Sequence, residues 1–138
     1  MPPPLRTKTI ATARRFVAIA GDRLRQFDAG EPPVAGVGSM ALPGHTPGQV
    51  GFVFEGGDAT LLYTADAAGH SFVSLQKPEW RFAFDTDSPV AIATRRQLIR
   101  TLIDAGWYNF TPHFPWPAYG RIVERDGRPL WLAERQAT

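Results

Sequence analysis

The 138-residue sequence contains no cysteine. Disulfide bonds, thiolate nucleophiles and metal sites with sulfur ligands are therefore excluded, and any metal ion must be bound by histidine and carboxylate side chains. The sequence also lacks a run of about 20 apolar residues, which is the length that a membrane-spanning helix needs. Its first residues lack the apolar core of a signal peptide, so we expect a soluble protein located in the cytoplasm.

A strong excess of one charge is also missing, because 15 Lys and Arg residues stand against 13 Asp and Glu residues. A formal net charge of +2 is too small to indicate a nucleic acid or a membrane surface as partner. The hydrophobic fraction of 43% is enough for one modest core, and the length allows one domain. Thirteen glycines and thirteen prolines indicate several turns between short strands.

The hydrophobic pattern predicts two helices. The first covers residues 9–21, where apolar residues recur at helical spacing. The second begins with Ser88 as N-cap and Pro89 at the first helical position, and it runs to Ala105, before Gly106. We expect the carboxylates of Asp85 and Asp87 to cap this second helix. Its arginines are expected to form a solvated face: Arg95, Arg96 and Arg100.

Short apolar runs separated by turn residues predict strands. Two short strands are expected over residues 24–27 and 37–42, and a β-hairpin over residues 50–64. A further strand is expected over residues 107–111, and a final hairpin over residues 121–133 turns at Asp126-Gly127. Residues 67–87 show no clear period and are predicted to be a long structured loop. This order predicts an α+β fold in which helices pack on one face of a mixed sheet.

Three residues that can bind metals stand at the ends of predicted strands. His45 lies just before the first hairpin, Asp66 lies just after it, and His113 follows the next strand. A strand end fixes the position of a residue while the turn leaves its side chain free to face a cleft, which suits a metal ligand. Taken alone, the three residues are weak evidence for a metal site, because residues of these types are more often ordinary surface or turn residues.

The sequence around these residues resembles the second half of a metallo-β-lactamase-superfamily domain. Residues 42–48 (LPGHTPG), residues 61–66 (LLYTAD) and the late His113 match the family pattern of G-H-T-x-G-H, a strand ending in G-D, and a later histidine. Residues 78–87 and 113–121 are similar to the branch that includes methyl parathion hydrolase and quorum-quenching lactonases. The resemblance begins at about Leu24 and implies that residues 1–138 form one partial domain, half of an αββα sandwich.

The resemblance implies a role for each of the three residues. His45 would bind a first metal ion, Asp66 would bridge two ions, and His113 would bind the second. Zinc is the expected metal, although iron, manganese and cobalt also accept histidine and carboxylate ligands. A hydroxide bound to such ions would attack an ester, lactone, lactam or phosphoester bond of a small molecule.

Three positions depart from the family pattern. Gln49 replaces the second histidine of G-H-T-P-G-H, a position whose side chain usually contacts a metal ligand rather than the metal ion itself. Ala65 replaces the glycine before the bridging aspartate, a small change for which we expect little effect. The third departure is the largest, because the upstream H-x-H-x-D-H cluster is missing from the chain.

The missing cluster leaves about half of the metal ligands unaccounted for, so we expect the chain to be incomplete alone. One face of its sheet would stay uncovered, and a complementing chain or a second copy would cover it. Two alternatives stay open. The chain is a non-enzymatic remnant or binding module from a truncated or split gene, or it binds one metal ion through His45, Asp66, His113 and also His70.

Several other residues are candidates for the surroundings of the site. His70, four residues after Asp66, is either an outer or substitute ligand or a solvated loop residue. Trp80, Phe114 and Trp116 are expected to line an apolar substrate pocket, and His70 is a further candidate for its lining. Phe82 and Phe84 are equally consistent with core packing.

Overall fold

The computed structural model describes residues 3–134, and a six-stranded mixed sheet forms its centre. The strands are β1 (Val37–Ala41), β2 (Val50–Gly56), β3 (Ala59–Tyr63), β4 (Tyr108–Phe110), β5 (Tyr119–Arg125) and β6 (Arg128–Ala133). They lie side by side in chain order. Every neighbouring pair is antiparallel except β3 and β4, which are parallel. A parallel pair needs a crossover connection, and the segment containing the helices α2 (Val73–Gln76) and α3 (Ser88–Ala105) supplies it.

Helix α3 has the predicted bounds, and the expectation that Asp87 caps it is confirmed, whereas the prediction of Ser88 as N-cap is wrong. Asp87, not Ser88, is the capping residue, and its side chain accepts a hydrogen bond of 3.1 Å from the backbone N–H of Val90. Pro89 therefore stands in the first turn, where its missing N–H leaves no helical bond unmade. Gly106 ends the helix in the left-handed conformation at a φ of +62°, as the sequence predicts.

The core lies between α3 and one face of the sheet. Leu62 of β3 and Leu102 of α3 have no exposed surface, and Ile122 of β5 is only 3% exposed. The buried cluster also contains residues from the connections: Leu42, Ala67, Ala68, Leu75, Phe114 and Ala118. The predicted mixed sheet with a covering helix is therefore confirmed for α3.

The opposite face of the sheet carries a row of aromatic side chains, one on each of four neighbouring strands. Phe52, Tyr63, Phe110 and Tyr119 are paired in register across β2, β3, β4 and β5. The rings of Phe52 and Tyr63 stack with their centroids 6.1 Å apart, and those of Tyr63 and Phe110 at 5.9 Å. Phe110 is 36% exposed, so this aromatic face is open within the described part of the chain.

The N-terminal part of the chain differs most from the prediction. Helix α1 covers Pro3–Ala20 rather than residues 9–21, because the prolines at its start are accommodated in the first helical turn. Its side chains from residue 6 to residue 19 are exposed, including Phe16 at 66%. The predicted strand at residues 24–27 is wrong, since that segment pairs with no strand. Among the described residues, no helix has both the length and the apolar character needed to cross a membrane.

Candidate functional site

The three predicted ligands lie together at one edge of the sheet. Asp66 follows β3 and His113 follows β4, and the ends of these two parallel neighbours emerge side by side. β2 is antiparallel to β3, so the turn before β2 brings His45 to the same edge. His113 Nε2 is 2.7 Å from Asp66 Oδ1, and His45 Nε2 is 3.8 Å from Asp66 Oδ2. Each carboxylate oxygen of Asp66 therefore faces a different imidazole.

A buried polar network ties the two strand ends together below these residues. Thr64 lies two residues before Asp66, and Thr111 lies two residues before His113. The Thr64 hydroxyl donates to the Thr111 hydroxyl at 2.9 Å, and the Asn109 amide donates to the same Thr111 oxygen at 2.8 Å. At most 1% of each of these three residues is exposed. The network fixes the separation of the two chain segments that carry Asp66 and His113.

The turn that carries His45 is held against helix α3. Gly44 has a φ of +122°, and a Cβ atom at this position would lie 2.3 Å from the backbone nitrogen of Ala91. The Thr94 hydroxyl donates a 2.7 Å hydrogen bond to the carbonyl of Pro43. Only glycine fits this contact, so the glycine before the histidine serves the close approach of the turn to the helix.

Gln49 and Ala65 are the two local departures from the family pattern. The Gln49 amide donates to the Leu42 carbonyl at 3.1 Å, so it closes the turn around His45. Ala65 has a φ of +47°, a left-handed conformation that is unfavourable for a residue with a Cβ atom. The expectation of little effect at Ala65 is therefore wrong, because the backbone directly before Asp66 has the conformation that glycine adopts freely.

A buried carboxylate and a buried guanidinium stand behind His45, and the sequence predictions for both were wrong. Asp85 does not cap α3, since its side chain is fully buried and lies 3.2 Å from His45 Nδ1. Arg95 is 3% exposed rather than solvated, and its guanidinium lies 3.3 Å from the other oxygen of Asp85. Arg96 and Arg100 are exposed, as expected.

A sequence signal for Arg95 was present. Ala91, Arg95, Leu98 and Leu102 follow one another at steps of four, three and four residues, and all four are buried. This spacing keeps residues on one face of a helix, so Arg95 occupies a core position of α3. A charged residue at a core position indicates a buried partner, because an unpaired buried charge is strongly unfavourable.

The predicted pocket residues have different environments. Trp80 is 59% exposed and Trp116 is 86% exposed, so both are available to a ligand or a partner. The prediction that Phe114 lines a substrate pocket is wrong. Phe114 is 5% exposed, belongs to the core and packs edge-on against Trp131 with the ring centroids 5.3 Å apart. The core-packing alternative for Phe82 and Phe84 is wrong, since they are exposed by 38% and 53%.

His70 has a local structural role. Its Nδ1 atom accepts hydrogen bonds from the backbone N–H groups of Phe72 at 3.1 Å and Val73 at 3.2 Å, where α2 begins. The side chain thus satisfies backbone donors at the start of α2 that have no partner within the helix. Its predicted role as an outer or substitute ligand stays a prediction.

Two surface grooves lie apart from the three residues. One, of about 600 Å³, is lined by Arg96 and Arg100 of α3 and by Glu124 of β5, among others. The other, of about 700 Å³, lies between residues 25–31 and the start of β2. Neither groove includes His45, Asp66 or His113. The side chains of Asp66 and His113 are about half exposed.

The residue types of this cluster suit zinc, but their number and arrangement do not complete a site. Neutral imidazole and carboxylate are good zinc ligands, and structural or catalytic sites use at least three protein ligands per ion. Within residues 3–134, no group of three or more histidine, cysteine, aspartate or glutamate side chains is arranged to hold a metal ion. His113 contacts the Asp66 carboxylate directly instead. By themselves, the described residues do not form a metal site.

Comparison with known proteins identifies the architecture. The structure of AidC, a dizinc quorum-quenching lactonase in complex with a product, is 26% identical with a TM-score of 0.87 and matches 99% of this chain. The hydrolase AbOPH of the beta-lactamase superfamily is 20% identical with a TM-score of 0.87 and matches the whole chain. A probable metal-dependent hydrolase from Staphylococcus aureus is 17% identical with a TM-score of 0.66 over 85% of the chain.

The match covers only part of each solved structure. The chain corresponds to 47% of the AidC chain, 49% of the AbOPH chain and 42% of the S. aureus chain. It therefore spans about half the length of the structures it matches. No family model matches the sequence, and no curated protein is significantly similar to it.

Proposed function

We propose that this chain, which has the fold of the metallo-β-lactamase superfamily, is part of a metal-dependent hydrolase and contributes His45, Asp66 and His113 to its metal centre. The observation that carries the proposal is the approach of two imidazoles to the two oxygens of one carboxylate, at 2.7 and 3.8 Å. The three residues come from three separate strand ends, so their meeting requires the tertiary fold and is not a local turn motif.

The position of Asp66 supports a bridging role. A carboxylate has two oxygens that can bind metal ions, and in Asp66 Oδ1 faces His113 while Oδ2 faces His45. Asp66 and His113 are each about half exposed, so further ligands and a substrate can approach them. A divalent ion bound there would supply a Lewis acid for hydrolysis of an ester, lactone, lactam or phosphoester.

The remaining ligands and the cover of the open sheet face would come from a second half of the fold. Two features support this proposal: the described residues lack a complete ligand set, and the chain spans about half the length of AidC and AbOPH. The aromatic face of Phe52, Tyr63, Phe110 and Tyr119 is the surface on which the second half would pack. A second copy of the chain is the alternative cover that the sequence suggested.

One observation favours a second candidate function. Because no complete ligand group exists among the described residues, the chain also fits a binding module that performs no hydrolysis. Assays for hydrolysis of small-molecule substrates distinguish the two functions. AidC is a lactonase, so an N-acyl homoserine lactone is the first substrate to assay, and an aryl phosphotriester is the second.

The cytoplasmic location expected from the sequence stays a prediction.

Reconstitution tests the proposal. The full chain is co-expressed with a polypeptide that carries the part of AidC that this chain does not match, and the purified material is assayed for zinc content and for hydrolysis of both substrates. We expect tightly bound zinc and hydrolysis in the complex, and in the chain alone neither hydrolysis nor zinc bound tightly enough to survive purification. His113→Gln should abolish both in the complex, while the control His70→Gln should preserve them.

Two results of the reconstitution would contradict the proposal. A complex that forms but holds no zinc would show that the three residues are not metal ligands. Failure of the two halves to associate would show that the aromatic face is not a surface for the second half. The DNA directly upstream of the coding sequence separates the two candidate functions, because an H-x-H-x-D-H segment there, in the same or a shifted frame, would favour the remnant of a broken gene over a chain completed by another polypeptide.

A further inference from the structure

We propose that the buried pair of Asp85 and Arg95 is a positioning device for the cluster of His45, Asp66 and His113. Asp85 would fix the tautomer and orientation of the His45 imidazole, and Arg95 would fix both Asp85 and the chain next to Asp66. Neither residue touches a substrate in this proposal. Its relevance to catalysis rests on the function proposed above, whereas the contacts themselves stand on the geometry alone.

The contact between His45 and Asp85 determines which imidazole nitrogen carries the proton. Asp85 Oδ1 lies 3.2 Å from His45 Nδ1, and the Asp85 side chain is fully buried. An ionised carboxylate can only accept hydrogen bonds, so it selects the tautomer with hydrogen on Nδ1. The lone pair is then on Nε2, which is the nitrogen that faces Asp66 at 3.8 Å. A histidine that binds a metal through Nε2 needs this tautomer.

Arg95 connects the back of His45 to the segment that follows Asp66. One terminal nitrogen donates to Asp85 Oδ2 at 3.3 Å, and Nε donates to the carbonyl of Ala67 at 3.1 Å. The other terminal nitrogen donates to the carbonyls of Pro78 at 3.0 Å and Trp80 at 3.3 Å. One guanidinium therefore holds the residue after Asp66, the long loop and the carboxylate behind His45 in a single geometry.

Backbone hydrogen bonds hold Asp85 near His45 independently of the two side chains. The N–H of Thr86 donates to the carbonyl of His45 at 3.1 Å, and the N–H of Asp87 donates to the carbonyl of Gly44 at 3.0 Å. The Thr86 hydroxyl also donates to the Gly44 carbonyl, at 3.1 Å. Replacing Asp85 by the equally sized asparagine therefore changes the bond to the imidazole while these backbone contacts remain.

Asp85→Asn should reverse the tautomer of His45. The Arg95 guanidinium has only donors, so the asparagine oxygen must face Arg95 and its NH₂ group must face His45. The NH₂ group donates to Nδ1, and the imidazole proton then moves to Nε2. Asp87→Asn is the matched control, because Asp87 lies two residues away and caps α3 through Val90 rather than contacting His45.

The test is a long-range ¹H–¹⁵N NMR experiment on the full chain in alkaline buffer, which distinguishes the two neutral tautomers of each histidine. Three histidines give three patterns, and His→Gln variants assign them. We expect His45 with hydrogen on Nδ1 in the wild type and in Asp87→Asn, and with hydrogen on Nε2 in Asp85→Asn. Wild-type His45 with hydrogen on Nε2 would overturn the proposal even if the Asp85→Asn variant failed to fold. An unchanged tautomer in a folded Asp85→Asn variant would overturn it as well.

The zinc affinity of the reconstituted complex separates this proposal from the proposed function. Loss of a hydrogen-bond partner behind a metal ligand typically lowers metal affinity about 10- to 100-fold. We expect this loss for Asp85→Asn and none for Asp87→Asn. If the tautomer reverses but the complex binds no zinc, the positioning role stands and the hydrolase proposal fails. If zinc binds equally to both variants, Asp85 does not position a ligand and this inference fails.

Discussion

Replacing Asp85 with alanine would leave the Arg95 guanidinium buried without its counterion. The Arg95 side chain is 4% exposed and that of Asp85 is fully buried, so water cannot replace the missing carboxylate. Breaking a buried ion pair from one side typically destabilises a protein by about 3–5 kcal/mol. The three backbone carbonyls that Arg95 also contacts would remain, so we expect a loss of about 3 kcal/mol, at the lower end of that range.

Urea unfolding of the full chain, followed by circular dichroism, measures this effect. A slope of about 2 kcal/mol per molar urea is usual for a small domain, so the midpoint should fall by about 1.5 M. Asp87→Ala is the matched control on the same loop. It removes only the N-cap of α3 and should lower the free energy of unfolding by about 1 kcal/mol.

A second variant shows whether the unpaired charge is the cause. Asp85→Ala combined with Arg95→Met removes both charges and keeps an apolar side chain of similar length in the core. We expect the double variant to be more stable than Asp85→Ala alone. A loss below about 1 kcal/mol for Asp85→Ala, or no recovery in the double variant, would refute the argument that this pair is buried and interdependent.

Three further predictions concern Ala65, Phe110 and Tyr119. Ala65→Gly should raise the free energy of unfolding by up to about 1 kcal/mol, because glycine adopts the φ of +47° without strain; a decrease in urea unfolding would contradict the assignment. Phe110→Asp should reduce self-association of the chain in analytical ultracentrifugation, and an unchanged sedimentation profile would show that this face takes no part in it. The pKa of Tyr119 is raised above its ordinary value, first by desolvation and then by Tyr108 and Glu134, against the opposing effect of Arg121. Because its folded-state pKa is raised, Tyr119 stabilises the fold at pH values below the ordinary tyrosine pKa of about 10, and this stability is lost as the pH rises through the folded-state pKa. Tyr119→Phe should remove this pH dependence from the free energy of unfolding.

Local sequence signals were sufficient for some elements of the fold. The helix α3 and the β2–β3 hairpin were predicted correctly, because a proline in the first turn, a C-terminal glycine and an alternating apolar run act within a few residues. The segment at residues 24–27 has strand-like residues but no partner strand, and pairing is a tertiary property. A local sequence pattern therefore cannot show that this segment forms no strand.

The candidate site shows a similar division. His45, Asp66 and His113 were chosen from strand ends and from a family resemblance, and their proximity depends on β3 and β4 being parallel neighbours. That topology cannot be inferred from the spacing of the three residues. Local patterns do not reveal the pair of Asp85 and Arg95, because a carboxylate just before a helix is typical of a cap and an arginine within a helix is typical of a solvated face. The core spacing of Arg95 was visible, but its partner lies ten residues away and only the fold brings the two together.

We propose that His45, Asp66 and His113 bind one metal centre together. This proposal is tested most directly by titrating the full chain with zinc while the NMR signals of the three histidines are followed. We predict weak binding in which the signals of His45 and His113 change together over one range of zinc concentration, with no change at His70, and we predict that Asp66→Asn removes the response. A response confined to His70, or one that survives in Asp66→Asn, would contradict the account.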